Sequence, residues 1–312
     1  MNTAPQKPRK AQQPKPKAAA GNQRTRTSRR KKSGSGRGVL GFLKGCPAWV
    51  VWSGAILFSG LYIFLFYYFF VGPFSFRWKA IYGEMPFPEG YSVRGIDISH
   101  YQDQIRWEQL RNASMNNDPV SFVIIKATEG VSLMDDNFNE NFYQAKNNGF
   151  IRGAYHFFNP EIDAARQARF FLHQVHLEPG DLPPVLDVEK KGNLSNAELQ
   201  RAVMTWLDIV EQRYGRKPIL YTGYRFRTDV LTDPVFDQYP FWIAHYYVEK
   251  LEYRGAWQIW QHTDCGRVDG IRGFVDCNIF NGTMQQLQEF TLQESDSEAA
   301  DASEAPEEDS ES

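Results

Sequence analysis

The stretch PVLDVEKKG, residues 184–192, places Asp187 and Glu189 two residues apart at the polar end of an apolar run. In a strand, residues i and i+2 project to the same face, so the two carboxylates leave the chain together. Like charges held this close resist joint ionisation, and one pKa is driven upward. A protonated acid beside an ionised carboxylate is the pair that glycoside hydrolysis requires. Standing alone, a D-x-E pair reads equally well as a helix cap or an arginine partner. Here it has company. RGIDISHYQ puts Asp97 at the end of the first candidate strand, followed by His100 and Tyr101, and FVDCNIF puts Asp276 in the last. If the first and last strands close a barrel, they are neighbours. Four carboxyl groups then gather at one rim, an arrangement that is costly in a core without partners or a use.

Aromatic residues fall at the same strand ends: Tyr155, His156 and Phe157; Tyr221; Trp242 and Tyr246; Trp257 and Trp260. Aromatic faces stack on the apolar faces of sugar rings, and their polar tips add hydrogen bonds. Tyr221 and Trp242 read as site residues, Phe157 and Trp257 as core packing. Asp97, His100, His156, His245 and His262 offer metal-ligand chemistry by type, but no His-x-x-x-His pair occurs, and two isolated exported cysteines are too few for structural zinc. The expectation is an enzyme with neither metal nor cofactor.

The elements that must position these groups repeat one pattern. Short β-rich runs occupy 91–99, 121–130, 151–158, 183–189, 217–223, 239–246, 256–263 and 273–280. Several are nearly continuous apolar runs, as buried parallel strands are. Helical spacing separates the early runs. It is strongest in SNAELQRAVMTWLDIVEQRYG, where Ser195 and Glu198 form a capping box and Gly215 ends the helix. After the fifth run the connections shorten. Eight strands with helices between the early ones predict an α/β fold, an irregular (β/α) barrel of TIM type. An open doubly wound sheet is the competing architecture, and the barrel is favoured because the unusual residues sit at strand C-terminal ends.

Net charge, −2 over 312 residues, hides an asymmetry. Residues 1–44 contain no Asp or Glu, and residues 294–312 contain no Lys or Arg. Both ends are poor in large apolar residues and read as disordered tails. Between Lys44 and Arg77 there is no charge, and 48–72 supplies the roughly 20 apolar residues that cross a bilayer. A cleaved signal peptide fits badly, because both the apolar run and the basic region before it are too long. The expected organisation is a basic cytoplasmic tail (1–47), a transmembrane helix (48–72), a linker (73–90), a catalytic domain (91–290) and an acidic tail (291–312). Basic flanks stay inside, which makes this a single-pass protein of the cell (inner) membrane with its catalytic domain periplasmic or extracellular. The lipid bilayer is its partner through 48–72, the basic tail suits anionic lipid, and no nucleic acid is expected. Nothing in the sequence sets an oligomeric state or decides whether Cys265 pairs with Cys277.

The motifs GIDISHYQ, FVIIKATEG, RGAYHFF, PVLDVE, PILYTGY, FWIAHY, WQIWQHT and VDCNIF, in this order, resemble the glycoside hydrolase family 25 muramidases, the Chalaropsis-type lysozymes, across roughly 91–290. The resemblance implies a flattened (β/α) barrel that cleaves the β-1,4 bond from N-acetylmuramic acid to N-acetylglucosamine in peptidoglycan glycan strands. Glu189 matches the family's general acid and Asp187 its partner carboxylate. Asp97 and Asp276 match two further acidic residues at the rim. With Tyr155, Tyr221 and Trp242, the residues Lys126, Glu129, His245 and Gln261 of these motifs are expected to bind substrate. Net retention is implied. Either the substrate's 2-acetamido group or a carboxylate is the nucleophile, and the first is preferred, with Asp187 stabilising. Family members are typically secreted or joined to wall-binding repeats; this sequence shows no internal repeats, only an anchor and two tails, which suits remodelling or local glycan release better than lysis of another cell's wall. A non-catalytic glycan-binding barrel is the rival reading.

Overall fold

A computed structural model describes residues 47–71 and 87–296 of the chain. The basic segment 1–46, most of the linker and residues 297–312 lie outside the described residues. The chain divides into two units, Met1–Phe64 and Leu65–Ser312.

Helix α1 spans Ala48–Phe66 and continues as a π-helical turn, Tyr67–Val71. It contains no acidic or basic residue and buries none of its side chains. Ala48–Val71 is long and apolar enough to cross a membrane, about 36 Å at 1.5 Å per residue.

The other unit is a closed barrel. Its walls are β1 (Arg94–Ile98), β3 (Asp118–Glu129), β5 (Ile151–Phe157), β6 (Val185–Asp187), β7 (Ile219–Gly223), β8 (Phe241–Ala244), β9 (Ile259–Gly266) and β10 (Val275–Phe280). The circuit runs β1-β10-β9-β8-β7-β6-β5-β3 and closes through a parallel β1–β3 pairing. Short strands β2 (Ser114–Met115) and β4 (Leu133–Met134) flank β3. All eight predicted strands are present, and the open-sheet alternative is excluded by the closure. The barrel is mixed: β10 is antiparallel to both β1 and β9. A parallel pairing needs a crossover of a dozen or more residues, and the short β9–β10 loop cannot provide one.

Alternation along the strands sorts side chains into two apolar clusters. Phe122, Ile124, Val185, Ile219, Trp242, Ile259 and Phe280 fill the barrel interior. Val123, Ile125, Leu186, Leu220 and Ile279 face outward, in one cluster with Leu110 of α2 (Trp107–Arg111), Phe142 of α3 (Phe138–Asn147), Phe171 of α4 (Ala164–Gln174) and Val203, Trp206 and Val210 of α5 (Asn196–Tyr214). The predicted capping box of α5 is formed, and Gly215 closes it at φ 62°. Gly95 is required for a different reason. A Cβ there would meet the Phe122 ring at 2.3 Å, so only glycine lets that ring plug the barrel.

Residues on either side of 91–290 also make contacts with the barrel. Phe87 already lies against Arg94 and His262. At the other end, Thr291 and Leu292 are buried, Leu292 exchanges backbone bonds with Gly180 and Asp181, and Asp296 pairs with Arg216. The acidic composition of the C-terminal segment concealed this. Two apolar or neutral residues suffice to dock its first turn on the barrel base. No disulfide joins Cys265 and Cys277, which are both buried.

Candidate active site

Asp187 is the last residue of β6, aligned with Phe157 on one side and Tyr221 on the other. Glu189 lies beyond the strand, but the strand alternation carries on to it. Phe158 donates to the Asp187 carbonyl, Val188 donates to the Tyr221 carbonyl, and the Thr222 hydroxyl donates to the Val188 carbonyl. Val188 is thereby buried in the outer core, and Glu189 turns back to the mouth, where it is exposed. Across the barrel, Asp97 and Asp276 are direct partners in the antiparallel β1–β10 pair.

These carboxyl groups raise one another's pKa. Asp187 is 6% exposed, and its Oδ1 has no hydrogen-bond partner among the described residues. Burial, followed by the charges of Glu189 and Asp97, holds it well above the usual carboxylate range. Burial lifts Asp97 to about 6 against two opposing amide bonds, from Asn278 and Gln261. Asp276 is pushed up to about 9 by burial and then by Asp97 and Asp264. Glu189 is raised by desolvation at the mouth; the neighbouring Tyr221 hydroxyl and the charges of Lys190 and Lys126 oppose the shift. Asp97 and Asp276 titrate together, with apparent pKa values that belong to the pair.

Beneath the rim runs a network that aims Asp97. Gln261 Nε2 and Asn278 Nδ2 donate to Asp97 Oδ2 at 2.7 and 2.8 Å. The hydroxyls of Tyr221 and Tyr246 both donate to Gln261 Oε1 at 2.7 Å, which fixes the amide's orientation. Trp242 Nε1 does the same for Asn278 Oδ1 at 2.8 Å. Trp242 and Gln261 are each 2% exposed. Both are held beneath the rim by these bonds, Gln261 directly to Asp97 and Trp242 through Asn278.

Lys126 and Glu129 reach the same side by an irregularity. Residues i and i+3 of a regular strand face opposite ways, but the β3–β5 register slips between Lys126 and Thr128. Such a bulge re-aims side chains, and Lys126 Nζ meets Glu129 Oε2 at 2.7 Å. Phe157, expected in the core, instead faces the site half-buried. Lys126 lies 5.0 Å and Lys190 5.1 Å from its ring centre. Its register partner is Asp187, so inward alternation decides its place. Tyr155 belongs to the group as well: after burial, the charges of Asp187, Asp97 and Asp276 are what raise its hydroxyl. Trp257 packs with Tyr91 and Trp260 in the outer core, as expected.

A family model for the glycosyl hydrolases family 25 matches residues 96–271. The chain belongs to glycosyl hydrolase family 25. Among its relatives, the protein YegX of Escherichia coli O6:H1 is 47% identical over 204 residues, covering 65% of this chain and 75% of that one. Lysozyme M1 of Streptomyces globisporus is 35% identical, covering 62% of this chain and 70% of that one. The crystal structure of the bacterial lysozyme from Streptomyces coelicolor superposes with a TM-score of 0.60 at 32% identity, covering 65% of this chain and 99% of that one. The fold and enzyme class expected from the motifs, an α/β barrel and a glycoside hydrolase, therefore hold.

The histidines of this family 25 hydrolase are engaged separately. His156 is buried, bonded to Thr128 and Gln167, and lowered to about 4 by burial. His100 is bonded to Asp135. His262 is buried against Phe87 and Trp260. His245 stacks on Tyr224 at 4.5 Å, and its charged neighbours are Glu252 and Arg225, which sets it apart from the carboxylates. Sequence reasoning missed Asn278, although its spacing of two from Asp276 was a usable signal. It also left Tyr246 and Asp264 without a role.

Proposed function

We propose that this chain is an N-acetylmuramidase that cleaves the β-1,4 bond between N-acetylmuramic acid and N-acetylglucosamine of peptidoglycan, with Glu189 as general acid. The observation that carries this is the placement of Asp187 and Glu189 on one inward face, one buried with an open acceptor and the other at the mouth. A general acid must reach the glycosidic oxygen of a bound chain, and Glu189 stands where that chain would lie. Its raised pKa keeps it protonated further toward neutrality. Asp187 Oδ1 is suited to accept the N–H of the substrate's 2-acetamido group. That bond orients the acetamido oxygen toward the anomeric carbon, and Lys126 favours the charged carboxylate as positive charge develops. Attack by this oxygen and later opening by water give net retention. The likeness to Lysozyme M1 supports the substrate class.

In this reading α1 anchors the enzyme in the cell membrane, with its N-terminus cytoplasmic and the barrel facing the wall, so that it remodels glycan close to the bilayer. The test is digestion of purified peptidoglycan by the full chain in detergent, with Glu189→Gln alongside. Mass spectrometry should find muramic acid reducing ends from the wild type alone, and early proton NMR should find the β-anomer. N-acetylglucosamine reducing ends, or equal release by the variant, would refute it.

A further inference from the structure

Tyr101 is 81% exposed, although it follows Asp97 by only four positions at the rim. Its posture is fixed by what surrounds it. It sits in the 3-10 turn His100–Gln102, which Ser99 and Gln102 close with a reciprocal capping box. His100 is pinned to the buried carboxylate of Asp135 by its backbone N–H at 2.9 Å and by Nδ1 at 2.7 Å. The Tyr101 ring lies against that pinned imidazole, centroids 4.1 Å apart. Gln102 Nε2 reaches across to the Phe274 carbonyl at 3.3 Å, tying the turn to the loop that leads into Asp276. Phe274 is itself 42% exposed, with the Arg267 guanidinium 4.9 Å from its ring centre. Covering an exposed aromatic face removes apolar surface from water, which favours binding. A ring already held in place loses little entropy when that happens.

We propose that Tyr101, supported by the His100–Asp135 clamp and flanked by the Phe274 loop, is a stacking platform for an N-acetylhexosamine of the glycan strand beyond the cleaved bond, on the Asp97–Asp276 side of the site. This rests on the muramidase reading and adds to it a preference for long strands. The pyranose C–H face covers the ring.

The test is a binding measurement on the full chain carrying Glu189→Gln, so that glycan is not consumed. Peptide-free glycan strands from peptidoglycan are sorted into tetrasaccharides and long strands, and affinities are read by calorimetry. Long strands should bind more tightly, and Tyr101→Ala should cut the long-to-short affinity ratio roughly threefold to tenfold, the size of one aromatic stacking contact. Tyr101→Phe and Tyr101→Trp should preserve the ratio. An unchanged ratio in Tyr101→Ala, an equal fall in the Phe and Trp variants, or no length dependence at all would overturn the platform. Absence of turnover by the wild type would instead overturn the muramidase reading and leave this binding readout standing.

Discussion

Asp97 and Asp276 face each other as direct partners across the antiparallel β1–β10 pair, the seam that closes the barrel. One is held near 6 by two amide donors, and the other is pushed to about 9. The closing seam thus disfavours ionisation of both carboxyl groups together at neutral pH.

Replacing Glu189 by Gln should lower kcat by about 10²–10⁴, the usual weight of a general acid. The side chain is exposed, so thermal stability should stay within about 0.5 kcal/mol of wild type. Steady-state hydrolysis with parallel thermal melts checks both.

Asn278→Ala removes one of the two donors that hold Asp97 down. The Asp97 pKa should rise, and the acid limb of the kcat/KM profile should move to higher pH. Gln261→Ala should do the same, whereas Asn278→Asp should shift the limb further by adding a like charge. A limb that stays fixed in all three variants would detach Asp97 from the pH dependence.

The folded-state pKa values of Asp97 and Asp276 both exceed the ordinary 3.8. Groups raised in this way contribute stability that is complete below pH 4 and is lost as pH rises through about 6 and then about 9. Asp276→Asn, neutral at every pH, should remove the upper part of that loss. At pH 8–9 it should melt about 2–4 °C above wild type, the shift expected for about 1 kcal/mol in a domain of this size. Below pH 4, where the carboxyl is protonated in both the folded and the unfolded chain, the two should coincide, as differential scanning calorimetry would show.

The apolar helix Ala48–Val71 should hold the full chain in the membrane fraction after carbonate washing. Deleting residues 1–71 should release an active, soluble barrel. Recovery of the full-length chain in the soluble fraction would remove the anchoring role.

Much of the site was legible because its signals are local. Asp187 and Glu189 share a face by strand alternation, and an apolar run sets where that strand lies. Asp97 and Asp276 required one further idea, closure of the barrel. Lys126 and Glu129 were assigned together from their motif, but their common direction depends on a bulge that no periodicity shows. Trp242 and Gln261 carry residue types that suit a sugar, but their bonds to Asn278 and to Asp97 depend on barrel closure and leave no mark in a local pattern.

By itself, then, the sequence determined the eight strands, the apolar segment near the N-terminus and the acidic residues at the strand ends, since hydrophobic period and residue type are properties of short windows. Only the tertiary structure decided which carboxyl groups are buried together, which polar side chains bond to one another and which stay exposed. Those properties depend on register and burial between strands far apart in the chain. A hydrogen bond such as Asn278 to Asp97 exists only once closure has brought its ends together.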